Sequence, residues 1–183
     1  MLPFFVPHFT NRTKNVVKAL EGLCRAVLRL RPEDSISVTL QNPIELGTRI
    51  DNKEFILDLA IVINNMLFLN MEMQVYRETF WKERSLSHAC RSFDQLNHGE
   101  GYGQILPVVH VGFLNYSLFP EYPEFFTTYE LANTSCPDYS YLYSDKLRIS
   151  VVDLTQIDRP PKMTKQIILT SGPVYSPLPH GRR

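Results

Sequence analysis

The sequence predicts an α/β fold: a mixed central β-sheet flanked by helices, with elements in α-β-β-β-α-β order. Three observations carry that expectation. Residues 55–75, FILDLAIVINNMLFLNMEMQV, are two apolar runs rich in Ile, Val, Leu, Met and Phe, parted by Asn-Asn, the pattern of a β-hairpin. Residues 11–31 and 77–97 carry apolar residues at helical spacing. Residues 105–114, ILPVVHVGFL, are nearly continuous apolar sequence, as expected of a central strand covered on both faces.

Length and composition bound what such a chain can do. Its 183 residues are enough for one domain with a sizeable core, placed at residues 1–158 and followed by an irregular, proline-punctuated basic tail at 159–183. Hydrophobic content is 44%, which excludes a disordered chain. No run approaches the ~20 apolar residues that cross a bilayer, so no membrane partner is expected. The opening MLPFFVPHF has no basic leader and no small-residue cleavage site, and a cytoplasmic protein is expected. Cys24, Cys90 and Cys136 are far apart and odd in number, which suits free thiols better than zinc or disulfides. Nineteen basic residues balance nineteen acidic ones. Duplex binders usually carry a basic excess, because phosphate neutralisation releases counterions; any basic surface here has to be local. No phosphate-binding G-x-x-x-x-G-K loop, H-E-x-x-H motif, zinc-finger spacing or internal repeat is present, and no organic cofactor is expected.

The elements follow in order. Thr10 or Asn11 caps a helix reaching about Arg31, with Val16, Leu20, Leu23, Cys24 and Val27 on one side and Arg12, Lys18, Arg25 and Arg29 on the other. Ile36, Val38 and Leu40 alternate as a first strand, broken by Asn42-Pro43. In the hairpin, Leu57, Leu59, Ile61 and Ile63 form one apolar face, and Leu67, Leu69, Met71, Met73 and Val75 another. Turning both to the core places Leu57 opposite Met73 and Ile63 opposite Leu67, with residues 64–66 as the loop. Asp58 then lies directly opposite Glu72. Opposed like charges are destabilising, and something has to compensate. A divalent cation between the carboxylates would do so; exposure or protonation of one carboxyl is the plainer solution. Asn70, Glu72 and Gln74 alternate on this same face.

The next helix, 77–97, offers Leu86, Ala89, Cys90, Phe93 and Leu96 as a core stripe and Arg84, His88, Arg91 and Gln95 as a polar one. That polar stripe, with neighbouring Lys82, is a candidate for DNA phosphate contacts, Arg84 first because a guanidinium binds phosphate bidentately; an ordinary solvated face is the alternative. His110 inside the apolar strand reads as a hydrogen-bonded core residue rather than a ligand. The segment FFTTYEL reads as an edge strand, and KLRISVVDL as the last strand, with Leu147, Ile149, Val151 and Leu154.

At the hairpin the chain resembles a known family. The ILD that ends at Asp58, the NMEMQV that begins at Asn70, and a following helix with FWKERSL are similar to PD-(D/E)XK nuclease family transposases of the recombination-promoting nuclease group. The likeness runs from about Asn15 to Asp158 and takes in NPIEL, LPVVHVGFLNYSLFP and KLRISVVDL. It implies a restriction-endonuclease-like core and a DNA endonuclease dependent on Mg2+ or Mn2+. Asp58 and Glu72 would hold the cation, and Gln74, where many relatives of this fold have Lys, would orient water or phosphate. Glu21 in the first helix is a further candidate ligand, and a homodimer would suit two cuts. The family's longer start and its further C-terminal helices have no counterpart here, so a chain shortened at both ends is expected. The alternative is a catalytically inactive remnant or a DNA-associated accessory protein of a mobile element.

Overall fold

The computed structural model describes residues 11–41, 57–96, 98–136 and 141–158. The chain divides into two units, Met1–Val38 with Pro161–Arg183 and Thr39–Pro160. In the first, helix α1 (Asn11–Leu28) buries Cys24, Val27 and Leu28, while Val16, which its spacing assigned to the same side, is exposed. The NPIEL segment and the tail lie outside the described residues.

The second unit holds the sheet, apart from Val38, the first residue of its first strand. Strands β1 (Val38–Leu40), β2 (Leu57–Ile63), β3 (Leu67–Gln74), β4 (Val108–Leu114), β5 (Phe126–Ala132) and β6 (Leu142–Asp153) lie in the order β1-β2-β3-β4-β6-β5. β2 pairs antiparallel with β3, β3 and β4 pair in parallel, as do β4 and β6, and β5 closes the far edge antiparallel to β6. The sheet is therefore mixed, as expected, with the apolar 105–114 run at its centre and FFTTYEL at its edge. The strand order differs from a simple reading only in that the last strand, β6, inserts between β4 and β5.

The hairpin has the register that side-chain parity required. Leu57 faces Met73, Asp58 faces Glu72 and Ile63 faces Leu67. Asn64 and Asn65 both take left-handed φ, 52° and 54°, which Asn tolerates better than most residues, and Met66 N–H closes the loop on Ile63 O at 2.9 Å. Leu59, Ile61, Ile63, Leu67, Leu69 and Met71 are buried on one face of the sheet.

The opposite face is covered by α2 (Trp81–Phe93), which is shorter at both ends than the periodicity suggested. Its inward stripe is Trp81, Ser85 and Ala89; Leu86, expected in the core, is 50% exposed, and Cys90 is exposed too. The reason is the surface it meets. That side of the sheet carries Glu72 and Gln74, so the helix presents small residues for close approach and polar ones for charge, and an apolar stripe would leave the carboxylate unpaired. Close approach is clearest at Gly112, where a Cβ would overlap the Trp81 indole. Trp81 packs with Leu114 and Val151, and Tyr116, Leu118 and Ile149 lie against this cluster.

Candidate active site

Sheet register sets the site. Asp58 on β2 is level with Glu72 on β3, Glu72 with Gly112 on β4, and Gly112 with Val151 on β6. One residue pair along, Gln74 is level with Leu114 and Asp153; on the other side, Asn70 is level with His110. The bare Gly112 next to Glu72 leaves room that α2 fills.

Glu72 is the centre of the cluster and is fully buried. Its Oε1 accepts hydrogen bonds from Arg84 Nε at 2.7 Å and Gln74 Nε2 at 2.5 Å. Oε2 has no hydrogen-bond partner and stands 3.9 Å from both His88 Nδ1 and His110 Nε2. His88 and His110 meet edge to face with ring centroids 6.0 Å apart, and the Trp81 and His110 ring centroids are 6.3 Å apart. Asp58 faces the solvent side of the row. Its carboxyl pKa is raised, by desolvation first and by the Glu72 charge second, with His88 and Arg84 acting in the opposite sense. His110 is lowered to about 4 by burial, so the ring is neutral at ordinary pH.

The residues singled out from sequence thus divide. Asp58, Glu72 and Gln74 come together, and so do Arg84 and His88, which point inward to Glu72 rather than outward along a solvated stripe. Lys82 and Arg91 are exposed on α2, with Lys82 Nζ 5.8 Å from the Phe119 ring centre. Glu21 is half-buried on α1, within the first unit. His110 is buried as expected but is not hydrogen-bonded: neither ring nitrogen has a partner. Sequence reasoning gave it no part in the site because its neighbour across the parallel ladder cannot be read from a single strand; its even spacing from Gly112 was the available signal.

Another buried carboxylate passed unnoticed as well. Asp153, at the end of β6, accepts from Ser117 Oγ at 2.5 Å, Thr155 N at 2.9 Å and Thr155 Oγ1 at 2.5 Å, and caps the short 3-10 turn Leu154–Gln156. Those donors satisfy it, so its part is structural. Among the described residues no group of three or more His, Cys, Asp or Glu side chains is placed so that it could hold a metal ion.

The cross-strand register of the two carboxylates is the one that strand parity required, and it lies on a mixed sheet with Gln two residues beyond the Glu. The family model for PD-(D/E)XK nuclease family transposases matches residues 12–167. The chain belongs to that family. Its match takes in the hairpin, α2 and the strands through β6, all the elements that carry the cluster around Glu72. No curated protein and no solved structure matches the chain. A nuclease-type function follows from membership of the PD-(D/E)XK family, and no helix among the described residues is long and apolar enough to cross a membrane.

Proposed function

We propose that this chain is a divalent-cation-dependent endonuclease that hydrolyses phosphodiester bonds of DNA, with Asp58 and Glu72 as cation ligands. The observation that carries the reading is their opposition in the β2–β3 register, joined to a Glu72 Oε2 that is buried without a donor. A cation fits this donor set. It would offset two facing carboxylates, supply the missing partner of Oε2, and relieve the burial and repulsion that raise the Asp58 pKa. When bound, Mg2+ or Mn2+ supplies charge for the phosphate and lowers the pKa of a bound water.

The chain's own residues have separate parts in this scheme. Gln74 and Arg84 fix the Glu72 carboxylate through Oε1 and leave Oε2 for the cation. Gln74 is neutral and brings no charge where a Lys would; the guanidinium of Arg84, arriving from α2, brings it instead. The Gln74 amide oxygen remains an acceptor for a water. Lys82 and Arg91, exposed on the same helix, would meet DNA phosphates. A homodimer suits paired cuts on one duplex.

A second reading, a catalytically inactive DNA-associated protein of a mobile element, has one observation in its favour. Arg84 and Gln74 already satisfy one Glu72 oxygen, so part of the carboxylate's charge is balanced by protein groups. Plasmid cleavage in Mg2+ or Mn2+ separates the two. The nuclease reading expects the wild type to nick or linearise plasmid, and Asp58→Ala and Glu72→Ala to lose at least about 100-fold, the scale lost with one electrostatic group at a reacting centre. An intact plasmid with wild-type protein, or equal cutting by both variants, supports the inactive reading.

A further inference from the structure

The parallel strands β3, β4 and β6 end level with one another, at Gln74, Leu114 and Asp153. The loop leaving β3, residues 75–80, starts there and leads into α2. It exposes two large rings: Tyr76 is 53% exposed and Phe80 66%. Tyr76 stands two residues beyond Gln74, and Phe80 precedes Trp81, whose indole is seated over Gly112, the residue level with Glu72. Both rings are thus attached beside the cluster around Glu72.

Neither ring serves the fold. Phe80 occupies the N-cap of α2, a position that favours Ser, Thr, Asp or Asn because their oxygens accept from the free N–H groups of the first turn; Phe80 makes no such bond and is not buried in exchange. The loop is nevertheless held. Asn115 N–H donates to Gln74 O at 3.0 Å, the Tyr116 hydroxyl accepts from Glu78 N–H at 3.4 Å, and Trp81 is buried at the far end. Charge separates this loop from its neighbour. Exposed Arg77 and Lys82 stand beside Tyr76 and Phe80, whereas the loop leaving β4, residues 115–125, exposes Tyr122 and Phe125 but carries Glu121 and Glu124 and no basic residue.

We infer that Tyr76 and Phe80 are stacking surfaces for unpaired bases, and that the DNA entering the site is single-stranded or locally unpaired. The inference names the substrate class of the site proposed above and rests on that reading for its DNA. Stacking on an aromatic ring is sequence-tolerant, because every base has a π-face, and it draws little on net charge. That suits a chain whose acidic and basic residues are equal in number, for which a long duplex footprint of neutralised phosphates is a weak source of affinity. Arg77 and Lys82 meet the phosphates between the stacked bases. An unpaired strand also offers its base faces without the unstacking that a duplex has to undergo first.

The test is fluorescence anisotropy of the full chain with labelled oligonucleotides of one length, in chelator so that none is cut: an oligothymidylate single strand, a duplex, and an abasic strand with the same phosphates. Wild type should bind the oligothymidylate more tightly than the other two. Tyr76→Ala and Phe80→Ala, at exposed positions and checked for folding by circular dichroism, should each weaken that binding by about 5–150-fold, the scale of one base–aromatic stack, and leave the abasic strand unaffected. Tyr76→Phe and Phe80→Tyr, which keep the rings, should bind as wild type does. Equal affinity for the oligothymidylate and the abasic strand, unchanged binding in both alanine variants, or no binding of any strand overturns the inference. Plasmid cutting in Mg2+ is scored separately. A protein that cuts plasmid while its oligonucleotide binding is indifferent to both rings loses the stacking surface and keeps the nuclease; one that needs the rings for the single strand but cuts nothing keeps the surface and loses the nuclease.

Discussion

A carboxylate buried as completely as that of Glu72 has to be matched by donors or by a cation, because an uncompensated charge in a low-dielectric interior is costly. One oxygen is matched by Arg84 and Gln74. Arg84→Met is accordingly expected to destabilise the protein by about 2 kcal/mol, below the ~3–5 kcal/mol of a fully buried pair because the Arg84 side chain is 35% exposed. Adding Glu72→Gln should recover part of that loss, a coupling that urea melts of the two single variants and the double variant would measure. The other oxygen faces His110, whose pKa falls from 6.5 to about 4 on burial. Between those values the unfolded chain takes up a proton that the folded one refuses. Stability of the metal-free protein should therefore be flat above that window and decline as pH falls through it, by on the order of 3 kcal/mol. Urea melts across the window, with His110→Gln giving a shallower decline, check the sign. At this scale the sequence was legible for Asp58, Glu72 and Gln74, since strand parity fixes which side chains share a face. It was not legible for the inward turn of Arg84 and His88, because a basic helix stripe looks the same whether it meets water or a buried carboxylate.

Among the elements, the hairpin was the easiest to read and α2 the hardest, for one physical reason. Hydrophobic periodicity locates a helix face only when the opposing surface is apolar. The hairpin's inner face is apolar, so Leu59, Ile61, Leu67 and Leu69 announced it; α2 packs on polar residues, so Leu86 and Cys90 misled. What anchors α2 is Trp81 seated over Gly112, the residue level with Glu72 in the sheet. Gly112→Ala should cost about 1–3 kcal/mol by overpacking and move the helix outward, taking Arg84 and His88 from Glu72. Weakened cleavage together with a lowered melting temperature is the expected result. A Gly112→Ala protein with unchanged stability and unchanged Trp fluorescence would mean that the indole does not sit there tightly.

Across the whole molecule, a mixed sheet with a central apolar strand was readable from the 105–114 run, but the insertion of β6 beside β4 was not. Parallel neighbours are joined by distant contacts that leave no local mark in sequence. Charge acts at this scale as well. With acidic and basic residues equal in number, the chain has little long-range attraction for DNA, and the proposed function asks local groups such as Lys82 and Arg91, with a cation at the site, to supply the affinity. The proposed function depends on whether the facing carboxylates hold an ion. A crystal soaked in Mn2+ answers that most directly through its anomalous difference density. The account predicts a peak within ligand distance of Glu72 Oε2 and on the side of the row where Asp58 lies; a well-ordered site with Arg84 still on Glu72 and no peak beside either carboxylate would contradict it.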